Sequence, residues 1–468
     1  MTLTSADTGL RRLSLDTVDS PAGVAWTLTP LTDPPAEWRA VGTAPVPATV
    51  PGEVYADLLA AGLIPDPFDA DNEDRLHWIG STDWSYETSF SFTRGAEQRH
   101  HLVFGGLDTL ATVVLNGAEI GRTANQHRSH RFDVTEVLVE GANSLQVRFE
   151  GPVTGAQRLS GELGDRPRAY AHPFNAIRKM AAGYGWDWGP DLAGAGIWKS
   201  VGIESWSGVR LGAVRPLALV EGTAGRLETH VALEWTDEAR EQVEVAVTLA
   251  GQTVTATADP GRTELVVEVT VPDVELWWPI GYGPQTRYDV TVEVAGQSYD
   301  AAVGFRTAEL SITPDEHGTG FAIVVNGTPI YVRGVNWIPD DALLTRLTAE
   351  TYRSSITDAV DAGANLLRIW VVASTRATTS TTSATSWGSW SGRTSCSPAP
   401  PTARTSRCAP RSKPRPGRPS RACRRGPAWC CGTATTRTSG AGSNGAGGSR
   451  WPAGAGATAT TPRSCRAS

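Results

Sequence analysis

Residues 183–190 read G-Y-G-W-D-W-G-P, which sets two indoles and a carboxylate side by side between glycines. Indole faces stack on the C–H face of a pyranose ring, and a carboxylate can accept hydrogen bonds from two adjacent hydroxyls. Trp186, Asp187 and Trp188 therefore have the make-up of a sugar contact, on a segment too irregular for a simple strand. A structural reading competes with it, in which Trp186 and Trp188 anchor a core and Asp187 caps a turn. A second group lies further on. Asn336 and Trp337 follow one predicted strand, and Arg368 and Trp370 lie at the end of the next. If those strands open an α/β barrel, their C-terminal ends line the active site. Against this, Trp370 reads equally as core packing and Arg368 as the partner of a buried carboxylate. Of the four, Arg368 is the one best read as structural support.

Other titratable clusters carry less. His127 and His130 could form a metal pair, but no Cys or acidic ligand stands at usable spacing, so they are read as a solvated loop. Asp66, Asp69, Asp71, Glu73 and Asp74 lack the glycine and the terminal glutamate of a calcium loop. No metal and no cofactor is expected.

The elements that must position these residues are mostly strands. Period-two alternation recurs at 84–90, 111–115 and 144–149, and Asn116-Gly117 supplies a hairpin turn because both residues tolerate positive φ. Residues 53–61 read as a short helix ended by Gly62. Short strands with frequent turns predict a β-sandwich over about 20–205. A second block, about 208–307, has strand patterns at 243–249, 254–258, 264–271 and 287–294. It fits an immunoglobulin-like sandwich without the Cys–Trp–Cys signature. Beyond 310 the pattern changes to a hairpin turning at Asn326-Gly327, then an amphipathic helix over 347–362 with Thr348 as N-cap and Gly363 past its end. A buried apolar strand at 365–370 follows. Strand, helix, strand is the opening of an α/β barrel.

At 468 residues the chain has room for about three domains of roughly 150 residues. Its composition is not uniform. Residues 1–370 carry 27 basic and 49 acidic side chains, which argues against nucleic acid or an anionic membrane surface as partner. Residues 371–468 contain no Asp, Glu, Leu, Ile, Phe, Tyr or Met, yet hold 15 basic residues and all six cysteines. Without branched aliphatics such a segment cannot offset its conformational entropy, so a disordered tail is expected. The N-terminus has no apolar signal region and no apolar run is long enough to span a bilayer, so the cytoplasm is the expected location.

Three stretches name a family: V-P-G-E-V-Y-A-D-L-L-A-A-G-L-I-P-D-P-F-D-A-D-N-E-D-R-L-H-W-I-G at 50–80, G-Y-G-W-D-W-G-P at 183–190, and I-Y-V-R-G-V-N-W-I-P at 330–339 followed by N-L-L-R-I-W at 365–370. With W-W-P at 277–279 and V-G-F-R at 303–306, the chain resembles the β-mannosidases among the β-galactosidase-like glycoside hydrolases (glycoside hydrolase family two) across residues 20–370. The resemblance implies a mainly β chain. Its parts would be a flexible N-terminus (1–19), a jelly-roll sugar-binding domain (20–206), an immunoglobulin-like sandwich (207–308), the start of a catalytic (β/α)8 barrel (309–370), and a tail (371–468). It implies exo-hydrolysis of terminal β-mannosides with retention of configuration, on a β-mannoside or manno-oligosaccharide and without a cofactor. It also implies that Trp186 and Asp187 touch the non-reducing end of the sugar, with Asn336, Trp337, Arg368 and Trp370 at the barrel mouth.

A retaining glycosidase needs two carboxyl groups about 5–5.5 Å apart. In the family the acid/base glutamate follows W-N-G-N-N and the nucleophile lies on a later strand; neither motif occurs here, and no catalytic residue is assigned. After R-I-W the family continues G-G-G-I-Y-E. The codons this implies, read with one base lost, give V-V-A-S-T-R, which is residues 371–376. The same displacement turns P-S-L-V-L-W-N-G-N-N-E-N-I-W into residues 427–440, with the glutamate codon straddling Thr436 and Arg437. The tail is thus expected to be out of frame, its cysteines by-products of base order, and the chain inactive. Two other classes compete: a non-catalytic carbohydrate-binding β-sandwich protein, and an interaction protein whose basic arm binds nucleic acid.

Overall fold

The structure is a computed structural model that describes residues 9–18, 23–164, 166–186 and 189–370, together with the backbone of Trp390–Arg393. All of these lie in the unit 1–406. Its first sandwich faces a six-stranded antiparallel sheet with a four-stranded one. The larger sheet runs, edge to edge, Val46–Ala48, Trp26–Pro30, Trp84–Phe92, Gly141–Phe149, Leu110–Leu115 and Ala118–Ala124. The smaller runs Leu10–Ser14, Val201–Trp206, Arg99–Phe104 and His130–Asp133. Alternation along Trp84–Phe92 sends Trp84, Tyr86, Phe90 and Phe92 into the core with Trp26, Phe104 and Phe149. The buried indoles keep their N–H groups satisfied: Trp26 donates to the Leu15 carbonyl at 2.7 Å and Trp84 to that of Ile79 at 3.0 Å. Asn116 and Gly117 turn the predicted hairpin with φ of 51° and 81°.

Leu10–Ser14 departs from the flexible N-terminus expected over 1–19. It is an edge strand antiparallel to Val201–Trp206, and Leu15 behind it is fully buried. A local reading of L-R-R-L-S could not show this, because the partner strand lies about 190 positions away in sequence. The helix Pro152–Leu163 was also missed, since Gly155 and Gly161 weaken its intrinsic propensity.

The second sandwich sets Val209–Glu221, Ala224–Trp235 and Glu264–Val271 against a sheet ordered Gln252–Ala258, Val243–Leu249, Tyr288–Val294 and Gln297–Val303. Its core is almost wholly Val and Leu, closed at one end by Phe305. Then comes a small sheet of Ala308–Ser311, Ala322–Val325 and Thr328–Ile330, turned at Asn326-Gly327. The barrel opening follows. Gly334–Trp337 and Leu366–Ile369 pair in parallel, joined by the helix Ala349–Asp361. Thr348 caps that helix by accepting from Thr351 N at 3.2 Å, and Gly363 leaves it at a φ of 84°. Tyr352 and Ile356 present its buried face, Ile356 packing with Leu367. The backbone of Trp390–Arg393 adds a third parallel strand beside Leu366–Ile369. These four residues stand within 371–468, where a disordered tail is expected, and depart from that expectation; the rest of the segment lies outside the described residues.

Candidate sugar site

The segment from Lys179 to Gly194 leaves the first sandwich as a loop and enters a 3-10 turn at Ala181–Tyr184; further on, Trp186 and Gly189 exchange both backbone hydrogen bonds at 3.2 Å. Asp187 and Trp188, between them, lie outside the described residues. Trp186 is half-buried. Its ring meets Tyr170 at 4.4 Å between centroids and the edge of Phe174 at 5.4 Å. It also joins an apolar cluster with Met180, Ala181, Ala182, Leu344 and Trp370. Trp186 and Trp370, 184 positions apart in sequence, thus share one surface.

The strand register supplies the neighbours. Asn336 stands opposite Arg368, whose Nη1 donates to the Asn336 Oδ1 at 2.9 Å while its guanidinium covers the Trp370 ring at 4.8 Å. Period-two geometry puts Arg368 and Trp370 on one face of the strand and Leu367 on the other. The Trp370 backbone N–H donates to the Trp337 carbonyl at 3.0 Å, while its indole Nε1 is buried and meets no hydrogen-bond partner among the described residues. Trp337 stands apart from this group. Its ring packs edge-on against Tyr352 and joins Ile356 and Leu367 beneath the helix, with Nε1 donating to Asp340 at 3.0 Å. Arg368, read as the partner of a buried carboxylate, has an amide and an indole instead.

The loop's ends rest on buried polar groups that the sequence reading did not single out. Lys179 donates to the Asp108 carboxylate and, at 2.9 Å, to the Gly194 carbonyl. Beside it Glu53 has a buried carboxyl oxygen, Oε1, that is unpartnered among the described residues. Burial pushes the Glu53 carboxyl up to about 8; the Lys179 ammonium opposes the shift, and Asp108, Asp341 and Asp57 reinforce it. One sequence signal was available: the first 370 residues hold two lysines, Lys179 and Lys199, against 25 arginines. Asp191 accepts from His172 at 2.7 Å, which raises the His172 pKa, and its backbone N–H donates to Glu73 at 2.7 Å.

Glu73, weighed above as a calcium ligand, is therefore a tether of this loop. His127 and His130 are half-buried rather than solvated, and burial pushes both imidazoles below their usual pKa. Among the described residues no group of three or more His, Cys, Asp or Glu could hold a metal ion, and no helix is long and apolar enough to cross a membrane.

Two β-sandwiches followed by an opening (β/α) layer are the order of parts that the resemblance to the β-galactosidase-like glycoside hydrolases implied. Residues 26–199 match the galactose-binding domain-like family of glycosyl hydrolase 2, and residues 218–306 match the glycosyl hydrolases family 2. The chain belongs to glycoside hydrolase family two. It is 34% identical over 360 residues to a β-mannosidase of Rattus norvegicus and 34% identical over 337 residues to β-mannosidase B of Emericella nidulans. Each alignment takes in 69% of this chain and 40% of the relative, so the chain spans about two fifths of the length of these relatives. The crystal structure of a β-D-mannosidase from Dictyoglomus thermophilum matches with a TM-score of 0.73 at 30% identity, over 82% of this chain and 47% of that one. An exo-chitosanase from Amycolatopsis orientalis, 22% identical with a TM-score of 0.62 over 79% of this chain and 42% of its own, shares the fold.

Proposed function

We propose that this chain is a β-mannosidase by descent that keeps sugar-holding parts of the active site and lacks the catalytic pair. The observation that carries the reading is that Trp186 and Trp370 pack against one cluster, Met180 with Ala182, while Arg368 links Trp370 to Asn336: aromatic and polar side chains of the kinds that contact a pyranose, drawn from distant parts of the chain. The β-mannosidases among the relatives support mannose as that sugar. Asp187 belongs to the same proposal as the acceptor for sugar hydroxyls.

Retaining hydrolysis needs a nucleophile and an acid/base carboxyl about 5–5.5 Å apart. The last carboxylate of this sequence is Asp361, on the helix that precedes the second barrel strand. No pair at the ends of later strands can therefore come from the 468-residue chain by itself.

The test pairs turnover with binding. On a chromogenic β-mannoside the chain should give no release above the uncatalysed rate, while calorimetry should register uptake of β-1,4-mannobiose. Trp186→Ala should weaken that uptake by about tenfold, the scale of one aromatic contact with its buried area. Turnover by the chain would overturn the inactive reading, and absence of uptake would overturn the sugar site. Uptake without turnover is also what a purely carbohydrate-binding sandwich would show. Discrimination comes from frame restoration, which confers hydrolysis only on a β-mannosidase by descent.

A further inference from the structure

Both ends of the loop that carries Trp186 are pinned by buried polar groups. At the first, Gln126 donates from its backbone to the Arg178 carbonyl at 3.0 Å, and its side-chain oxygen accepts from Met180 N at 2.7 Å. At the second, Gly196 exchanges backbone hydrogen bonds with Asp108 at 3.0 and 3.1 Å, and Ala195 and Ile197 accept from Val54 and Gly52 at 3.0 and 2.9 Å. Lys179 joins the two. Its ammonium, on a side chain 4% exposed, reaches the carbonyl of Gly194, 15 positions further along, and the Asp108 carboxylate, which also accepts from Thr109 Oγ1.

We propose that Lys179 is a positioning residue for the sugar contact: it clasps residues 179–194 at their base and so fixes where Trp186 stands against the cluster it shares with Trp370. The inference rests on the mannoside reading above.

The energetics favour this over simple stabilisation. Taking an ammonium and a carboxylate out of water costs about as much as their attraction returns, and a well-packed apolar pair is often as stable or more so. An apolar side chain would fill the volume but could not hold the Gly194 carbonyl. A lysine supplies a compact cation with three rotatable donors on a thin stem. Two of those donors are engaged with Asp108 and Gly194. A guanidinium fork is wider, and the Lys179 stem passes close to Gly183, where an added Cβ would stand 3.6 Å from the Lys179 Cε. Between those ends the described residues are tied by Tyr184 Oη to the Pro152 carbonyl and by Asp191 to His172 and Glu73, and Trp186 by its packing on Tyr170 and Phe174. Lys179 is the side chain that bonds the first end of the segment to the last, so opening it shifts the segment that carries the indole.

The test uses the full chain and two variants. Lys179→Met removes the clasp but strands Asp108; the double variant Lys179→Met/Asp108→Asn removes both charges and strands neither. In both, peptide-resolved hydrogen exchange across 180–193 should rise by about tenfold or more, while exchange across 209–303 stays at the wild-type rate. Affinity for β-1,4-mannobiose should fall by about tenfold, because a misplaced stacking ring loses its orientation. A purely structural role predicts otherwise: exchange rising throughout the first sandwich in parallel with a fall in Tm. The proposal is overturned if the double variant exchanges like wild type over 180–193, or if it loosens there and keeps wild-type affinity. A wild-type chain that takes up no mannobiose overturns the mannoside reading and the positioning role together. The clasp itself then stands or falls on the exchange data.

Discussion

Glu53 shows how one partly buried side chain, its carboxyl oxygen Oε1 out of water, makes the molecule sensitive to pH. Its carboxyl titrates near 8 in the fold against 4.5 ordinarily, chiefly because burial disfavours the anion. Between those values the folded chain keeps a proton that the unfolded chain has released, so stability falls as pH rises through the window. Glu53→Gln keeps the shape and removes the titration. The variant should match wild type in Tm near pH 4 and gain on it progressively up to pH 8, by a few degrees or about 1 kcal/mol and more. A scan of Tm against pH checks this. A residual slope from about pH 4 to 6 should survive in the variant, because Asp57, held by Thr49 and Tyr86, is itself raised to about 6 by burial. Curves that run parallel across the whole range would contradict the burial of Glu53. Its importance was not legible in V-P-G-E-V: the groups that surround it come from Asp108, Lys179 and Asp341, far along the chain.

Elements were legible where their causes are local. Asn116-Gly117 and Asn326-Gly327 turn where positive φ is needed, and Thr348 with Gly363 bound a helix whose apolar residues recur at 352, 356 and 360. Elements whose reason lies elsewhere were not. Leu10–Ser14 is a strand only because Val201–Trp206 leaves an edge for it, and the loop at 179–194 is held by Asp108 and Gln126. Trp337 shows the limit of reasoning by motif: strand periodicity turns it towards the helix, whereas Asn336 beside it pairs with Arg368. The cap can be tested directly. Thr348→Ala removes the acceptor for Thr351 N and should destabilise the helix Ala349–Asp361 by about 1 kcal/mol, speeding its amide exchange roughly fivefold. Exchange in the second sandwich should not change. An unchanged helix would mean that packing of Ile356 and Tyr352, not the cap, sets its local stability.

On the scale of the whole molecule the two sandwiches bury closed cores, whereas residues 308–370 do not. Phe321 is 75% exposed and Tyr331 76%, and Ile312 and Val335 are exposed as well. Exposed apolar surface on this scale marks a contact that another element would cover, and a (β/α) barrel closes only when all its strands are present. The out-of-frame reading proposed for residues 371–468 would account for it, and it makes a specific demand on the coding DNA. Restoring one base after the codon for Trp370 should continue R-I-W into G-G-G-I-Y-E and later into W-N-G-N-N-E. The protein made from that gene should hydrolyse a chromogenic β-mannoside and bind far less of a dye that reports exposed apolar surface. Each part can fail separately. If the DNA downstream offers no such frame, the inferred displacement is wrong. If the frame is there but the longer protein cleaves another glycoside in preference, the family assignment stands and mannose is the wrong sugar. If it cleaves mannosides yet binds the dye as strongly as the 468-residue chain, the exposure of Phe321 and Tyr331 belongs to the fold and not to an incomplete barrel.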